Sequence, residues 1–155
     1  MHGHDINLDI FFRYLRKTDI PVIWTLHDCW PFTGYCMHFD AVECKKWQTE
    51  CKDCPQRKKF SFFFDNSQKL FMKKKELFTS LSNLTIVSPS VWLGNLASQS
   101  FLNKYPIKVI NNGIDLDVFK KTDSDFKKRY GIDDKRMILG IPKERLNRLL
   151  SLQNI

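Results

Sequence analysis

The sequence has 155 residues, 43% of them hydrophobic and 27% charged, and a formal net charge of +8. No apolar run approaches the roughly eighteen residues of a membrane-spanning helix, so the sequence predicts one soluble domain with its own core. Met1 is followed by neither a basic stretch nor an apolar one. This start predicts a chain without a signal peptide and a cytoplasmic location.

Three segments have apolar side chains at helical spacing: residues 6–17, where Asp5 is the candidate N-cap, and residues 66–81 and 90–102. Short runs that are apolar on consecutive residues lie between and after them. These runs are "PVIWTL" at 21–26, "LTIVS" at 84–88, "IKVIN" at 107–111 and "MILGI" at 137–141. Runs of this kind are typical of strands buried on both faces of a parallel sheet. The alternation predicts an α/β fold with right-handed crossovers and helices on both faces of the sheet.

Lys74 interrupts the apolar stripe of the 66–81 segment, four residues after Leu70 and three after Phe71. We expect its stem to lie along the edge of the core and its amine to reach water. Binding of a phosphate is the alternative interpretation.

Residues 36–64 show no sustained period of two or 3.6, so something other than a core must hold this insertion together. It contains Cys36, Cys44, Cys51 and Cys54, and the last two form a Cys-x-x-Cys pair. Four cysteines at these spacings predict a structural zinc site with four thiolate ligands, and zinc would supply folding free energy. Thiols without a metal and a redox-active Cys51–Cys54 pair are the alternatives. Cys29 is interpreted as a small core residue.

Positive charge is concentrated between Arg57 and Glu76, where seven Lys and Arg residues face only two acidic ones. Such an excess favours anionic partners: phosphates, nucleic acid or an acidic membrane surface. A basic face that is simply solvated is the alternative.

Four stretches together carry a resemblance to a known family: "TLHDCWPFTGYC", "CKDCPQ", "TIVSPSVWL" and "KVINNGIDLDVF". With these stretches in this order, residues 5–140 resemble the bacterial family 4 retaining glycosyltransferases of GT-B fold, which build capsular, exopolysaccharide and lipid-linked glycans. The resemblance implies two Rossmann-like halves, with a nucleotide-sugar donor held mainly by the C-terminal half and a glycan or lipid-linked acceptor by the N-terminal half. It further implies hexosyl transfer with retention, no catalytic metal, a purely structural zinc and contact with the inner membrane face. Nucleic acid is not an expected partner.

The resemblance also implies candidate catalytic residues at the end of the "PVIWTL" strand. His27 matches a histidine that faces the donor sugar, where it could hydrogen-bond a hydroxyl or the leaving phosphate. Asp28 would either position His27 or cap the following turn.

Candidate substrate-binding residues follow the next two strands. Ser88 and Ser90 could meet an anionic group at a helix N-terminus, with simple capping as the alternative. Asn112 and Gly113 match the crossing between the two domains, and we expect a positive φ at Gly113. Asp115 is expected to cap the turn toward Phe119.

The comparison with the family predicts residues 1–140 to be a partial N-terminal domain, and residues 141–155 a helical tail in place of the donor-binding domain. We therefore expect no transferase activity from the chain alone, and an uncovered sheet edge where the family has its first strand. The competing hypothesis is a small zinc-stabilised basic module that binds nucleic acid or acidic lipid.

Overall fold

A computed structural model describes residues 6–61 and 63–137 of the chain. The chain divides into two compact units, the first ending at Gly113 and the second beginning at Ile114. Each unit is described by itself. Within the described ranges, no helix is both long enough and apolar enough to cross a membrane.

The first helix, α1, covers Leu8–Thr18. Its N-cap is Asn7, whose Oδ1 accepts a hydrogen bond from the Ile10 N–H at 3.2 Å. The expectation that Asp5 caps this helix is therefore wrong, because the helix begins two residues later than expected. Asp19 ends the helix in the left-handed region, with φ of 49°.

Three parallel strands form the sheet of the first unit: β1 (Val22–Thr25), β2 (Leu84–Ser88) and β3 (Ile107–Val109). Their order is β1-β2-β3, and the register pairs Val22 with Leu84 and Ser88 with Val109. This architecture confirms the predicted α/β class and is consistent with a partial Rossmann-like fold.

Burial differs between the three strands. Most of β2 is buried, as expected of a strand covered on both faces, but Ile23 of β1 is 74% exposed and Val109 of β3 is also exposed. The expectation of burial on both faces is therefore wrong for β1 and β3. They are the outer strands of this sheet, whereas β2 has a neighbour on each side.

Two further predicted helices of the first unit are shorter than expected: α3 covers Ser67–Phe78, and α4 covers Val91–Ser98 and is followed by a 3₁₀ turn at Phe101–Lys104. A short helix that was not predicted, α2, covers Arg57–Phe60. The core is rich in aromatic side chains. Phe78, which is fully buried, contacts the rings of Phe12, Trp24 and Trp30 at centroid distances of 5.0, 4.8 and 6.1 Å. These contacts join α1, β1 and α3 into one packed cluster.

A 3₁₀ turn at Trp30–Phe32 precedes the cysteine-containing insertion, which has two further 3₁₀ turns, at Asp40–Val42 and Lys46–Gln48, before α2 begins. Trp47 is buried and packs against the rings of Phe32 and Phe39, with centroids 5.4 and 5.0 Å away. The insertion therefore shares the aromatic core, although the regular structure described within it is limited to short 3₁₀ turns and the four-residue α2.

In the second unit, α5 covers Phe126–Arg129. Asp115 Oδ1 accepts hydrogen bonds from the N–H groups of Asp117 and Val118, so the expected capping role of Asp115 is confirmed. The strand expected at 137–141 lies, except for Met137, outside the described residues. The helical tail expected at 141–155 lies wholly outside them.

Candidate functional site: one edge of the parallel sheet

The candidate substrate residues follow the carboxyl ends of the three strands. After β1, the Leu26 N–H continues the pairing by donating to Val87 O at 2.8 Å, and after β3 the Ile110 N–H donates to Ser88 O at 2.9 Å. Because all three strands are parallel, the segments that follow them leave the sheet at the same edge. This is the edge at which ligands bind in open α/β sheets.

Side chains alternate between buried and exposed where the chain leaves β1. Leu26 and Asp28 are buried, whereas His27 between them is exposed. Asp28 Oδ1 accepts a hydrogen bond from the Trp30 N–H at 2.8 Å. Of the two roles considered for Asp28, capping of the following turn is thus the one seen in this contact. The imidazole of His27 is left on the surface of the edge, where a ligand could reach it.

At the end of β2, the two serines hold the start of α4. Ser90 is the N-cap and accepts a hydrogen bond from the Leu93 N–H at 3.2 Å. The fully buried Ser88 donates from its Oγ to Ser90 O at 2.8 Å. These contacts match the interpretation in which the two serines cap the helix. Binding of an anionic group by these serines stays a prediction.

After β3, Asn112 and Gly113 are exposed. The expected positive φ at Gly113 is wrong, because among the described glycines only Gly131 has a positive φ. A Cβ added at Gly113 would meet no atom within 4 Å, so neither conformation nor crowding requires glycine there. The Asn-Gly pair favours a turn with positive φ only where the turn type demands it.

Lys74 is buried, so the expectation that its amine reaches water is wrong. The residue is 4% exposed, and its Nζ donates to the carbonyl oxygens of Trp30, Thr33 and Gly34 at 2.8, 2.9 and 3.1 Å. An ammonium group has three N–H donors, so these acceptors use all of them and leave none for a phosphate. Burial lowers the pKa of Lys74 to about 7, partly opposed by the negative charges that Cys51, Asp28 and Cys36 carry when ionised.

All five cysteines are free thiols, as the prediction of metal ligands or reduced thiols requires. Four of them line one small cavity of about 20 Å³: Cys36, Cys44, Cys51 and Cys54. Burial raises the pKa of Cys36 to about 12, and hydrogen bonding with Cys54 adds to the effect. Burial also raises the pKa of Cys51 to about 11, although the Gly34 N–H donates to its sulfur.

Two observations point in opposite directions on whether these cysteines could bind a metal ion. Trp47 lines the same cavity, and its buried indole Nε1 has no hydrogen-bond partner among the residues that the structure describes. An unsatisfied donor is costly unless something accepts its hydrogen, and metal-bound thiolates are strong acceptors. Across residues 6–61 and 63–137, however, no three His, Cys, Asp or Glu side chains are arranged as they would be around a metal ion. The cysteines converge on one place without forming a ready coordination shell.

Cys29 is fully buried and belongs to the hydrophobic core cluster, as expected of the odd cysteine. Its N–H donates to Met37 O at 3.0 Å, which ties the strand-end turn to the beginning of the insertion. Burial raises its pKa to about 12, so it stays a neutral thiol.

The fold and the strand-end edge together define an α/β protein of partial Rossmann type with a candidate ligand-binding edge. Comparison with known proteins makes this more specific. The chain is 32% identical, over 124 residues, to the Escherichia coli K12 protein named "Putative colanic acid biosynthesis glycosyl transferase WcaC". The match covers 75% of this chain and 30% of the relative, so the chain spans less than a third of the relative's length. No protein-family model matches the chain. No solved structure matches it.

The sequence marked Lys74 as unusual, but the predicted exposure of its amine was wrong. The sequence did not predict that the indole Nε1 of Trp47 would be buried without a hydrogen-bond partner among the described residues. A lysine inside an apolar stripe was the signal for the first. For Trp47 the signal was weaker: a lone tryptophan within a stretch that has no helical or strand pattern.

Proposed function

We propose that this chain is part of a glycosyl transferase of surface polysaccharide biosynthesis, and that it contributes the acceptor-side wall of the active site. The similarity to the Escherichia coli protein carries the proposal. The exposed position of His27 at the carboxyl edge of a parallel sheet supports it, because sugar and phosphate oxygens at that edge would be within reach of an imidazole.

In this proposal the partners are a nucleotide-sugar donor and a glycan or lipid-linked acceptor, and the reaction is cytoplasmic transfer of a hexosyl group with retention. His27 would hydrogen-bond the donor sugar or the leaving phosphate. Asn112 would line the same edge. Ser88 and Ser90 would keep α4 in place, with its N-terminus toward an anionic group.

We further propose that the chain alone binds these ligands weakly and does not turn them over. In the GT-B enzymes that it resembles, most donor contacts come from a second domain, and the relative is more than three times as long as the part that matches. The proposal thus separates binding at the strand-end edge from catalysis.

The test is an NMR titration of the isotope-labelled chain with common nucleotide-sugars and with a disaccharide acceptor. We expect amide shifts confined to the segments after β1, β2 and β3, and their loss in His27→Ala. A matched control is His38→Ala, which changes an exposed histidine of the insertion. Shifts absent from all three segments with every ligand would overturn the proposed site, and turnover of any nucleotide-sugar would overturn the proposed lack of activity.

We also propose that zinc binds Cys36, Cys44, Cys51 and Cys54 and has a structural role. Support comes from the cavity that the four side chains share and from the unsatisfied Nε1 of Trp47 beside it. The ion would cross-link the insertion, in which the structure describes only short 3₁₀ turns and the four-residue α2. Small movements of the cysteine side chains are needed first, because they are not yet arranged for coordination.

Cobalt substitution tests this proposal directly. Cobalt bound by four thiolates gives intense absorption from sulfur-to-metal charge transfer, and we expect it from the native chain and from Cys29→Ser but not from Cys54→Ser. Metal analysis of the purified chain should find one zinc per molecule. A native chain that binds neither metal in stoichiometric amount would rule the site out.

A further inference from the structure

The backbone around His27 is anchored on both sides. Before His27, the Leu26 N–H donates to Val87 O at 2.8 Å, which continues the pairing of β1 with β2. After it, the carboxylate of Asp28 accepts a hydrogen bond from the Trp30 N–H at 2.8 Å. The first anchor belongs to the sheet, whereas the second depends on where Trp30 is held. The arrangement of His27 and Asp28 therefore depends on the position of Trp30.

Trp30 is held by Lys74 of α3 through both its backbone and its ring. Lys74 Nζ donates to Trp30 O at 2.8 Å and lies 3.8 Å from the centre of the indole ring. The same nitrogen donates to two further carbonyl oxygens of the turn, those of Thr33 and Gly34. Hydrogen bonds from a charged donor are roughly twice as strong as those between neutral groups. One side chain thus fixes the turn at three points of its backbone.

The backbone hydrogen bonds within the turn are longer than those that Lys74 supplies to Trp30 and Thr33. The Phe32 N–H donates to Cys29 O at 3.2 Å, and the Thr33 N–H donates to Trp30 O at 3.3 Å. Both belong to a single 3₁₀ turn, a geometry whose hydrogen bonds are poorly aligned. Without Lys74, we expect this turn to keep its place in the fold but to lose its fixed arrangement.

Packing alone does not explain a lysine at this position. The residue lies in the apolar stripe of α3, with Phe71 and Leu77 buried three residues before and after it. Burying an ammonium group costs free energy that an apolar side chain in the same place would not cost. Residues that depart from the pattern favoured by packing are expected at functional sites. Lys74 is therefore a candidate for a role beyond joining α3 to the turn.

We propose that Lys74 is a positioning residue of the strand-end site: it orders the turn so that His27 and Asp28 are held ready for a ligand. This inference rests on the proposed function, because it concerns the same ligand. The three N–H donors of Lys74 are used within the protein, so it acts on the ligand only through the turn. A turn that is ordered in advance spares the ligand the cost of ordering it.

The experiment compares Lys74→Met with a matched control, Tyr105→Phe. Tyr105 is also buried, and its hydroxyl accepts from the Leu81 N–H at 3.2 Å and donates to Leu81 O at 3.0 Å. Each variant therefore removes a buried donor to a backbone carbonyl. Leu81 and Tyr105 precede β2 and β3, at the sheet edge opposite the strand-end site. Urea denaturation measures the loss of stability in each variant.

The folded chains are titrated with UDP-glucose and with GDP-mannose, and binding is followed by amide shifts after β1. If the turn of Lys74→Met holds its native arrangement about a tenth of the time, its dissociation constant should rise about tenfold. The dissociation constant of Tyr105→Phe should stay within about twofold of the native value. Amide hydrogen exchange without ligand should be faster at the Trp30 N–H in Lys74→Met than in Tyr105→Phe.

The outcomes separate this inference from the proposed function. Native affinity in Lys74→Met, or an equal loss of affinity in both variants, would overturn the inference alone. A native chain that binds no nucleotide-sugar would overturn the proposed function and this inference with it. If Lys74→Met does not fold, Lys74→Gln takes its place, because its amide keeps two N–H donors. Its dissociation constant should rise about threefold, and an unchanged value would overturn the inference.

Discussion

The ammonium nitrogen of Lys74 lies 3.8 Å from the centre of the Trp30 ring and 2.8 Å from the carbonyl oxygen of the same residue. One buried cation therefore holds both the side chain and the backbone of the turn that follows His27 and Asp28. Thr33 and Gly34 give it two further carbonyl acceptors. The position of the strand-end turn is thus set from α3, not from the strand itself.

Replacing Lys74 with methionine should destabilise the first unit. Three carbonyl groups would lose their donor inside the protein, and each unsatisfied group costs about 1–3 kcal/mol, partly offset because a buried charge is removed as well. We expect the free energy of unfolding in urea to fall by about 2–4 kcal/mol. Lys75→Met, an exposed neighbour on the same helix, should change it by less than about 0.5 kcal/mol. Equal stability of Lys74→Met and the native chain would show that the three hydrogen bonds only balance the cost of burying the charge.

Stability should also rise with pH just above neutrality. Burial lowers the pKa of Lys74 in the folded chain to about 7, from 10.5 in the unfolded chain. Between these values the unfolded chain binds a proton that the folded chain has released, so the free energy of unfolding rises with pH, by up to about 1.4 kcal/mol per unit. The effect of Lys74 can be isolated only below about pH 8.5, because above that pH the thiols of the unfolded chain also lose their protons. Urea titrations between pH 7 and 8.5 should show the rise in the native chain and lack it in Lys74→Met; parallel curves would contradict it.

Gly34 is required by a close approach of two backbone segments. A Cβ at this position would stand 2.6 Å from the Ser67 carbonyl oxygen and 2.9 Å from the Ser67 Cα. Because both atoms are backbone, they cannot move aside without distorting the chain. Gly34→Ala should therefore lower the free energy of unfolding, measured in urea, by about 1–3 kcal/mol. Gly113→Ala is the matched control, since nothing lies within 4 Å of its added Cβ. A similar loss in both variants would contradict the clash as the cause, because alanine at an unstrained position restricts the unfolded chain and should not destabilise the fold.

The role of Ser90 can be separated into capping and ligand binding. Ser90→Ala removes the acceptor for the Leu93 N–H and should cost about 1 kcal/mol in urea denaturation. Ser90→Asp restores an N-cap acceptor and should recover that loss. If the aspartate variant is as unstable as the alanine variant, the cap contributes little. A loss of nucleotide-sugar shifts in Ser90→Asp, without a loss of stability, would indicate that Ser90 also faces the anion.

The sequence was sufficient for elements whose cause is local. The run at 84–88 is β-branched and apolar, and the structure forms β2 over Leu84–Ser88 without any difference in bounds. The spacing in the first helix predicted one apolar face, formed by Leu8, Phe11, Phe12 and Leu15; Phe12 and Leu15 are buried, and Leu8 and Phe11 are half-buried. Hydrophobic period and turn residues act over a few positions, so they can be read directly from the chain.

Features that depend on distant backbone could not be predicted in the same way. The acceptors of Lys74 are carbonyl groups, which every residue has, and no residue type near position 30 identifies them in advance. Gly113 shows the opposite error: a local turn motif suggested a positive φ that the surrounding chain does not impose. The convergence of the cysteines on one cavity agreed with their spacing, but spacing alone does not fix the directions of the side chains.

The separation between Lys74 and its acceptors also bears on how the chain is made. The carbonyls of Trp30, Thr33 and Gly34 precede their donor by 40 to 44 positions. At synthesis rates of about 5–20 residues per second, roughly 2–9 s pass between the addition of the acceptor residues and the addition of Lys74. The turn after His27 therefore cannot make its native contacts until α3 has been synthesised, although it precedes α3 in the chain.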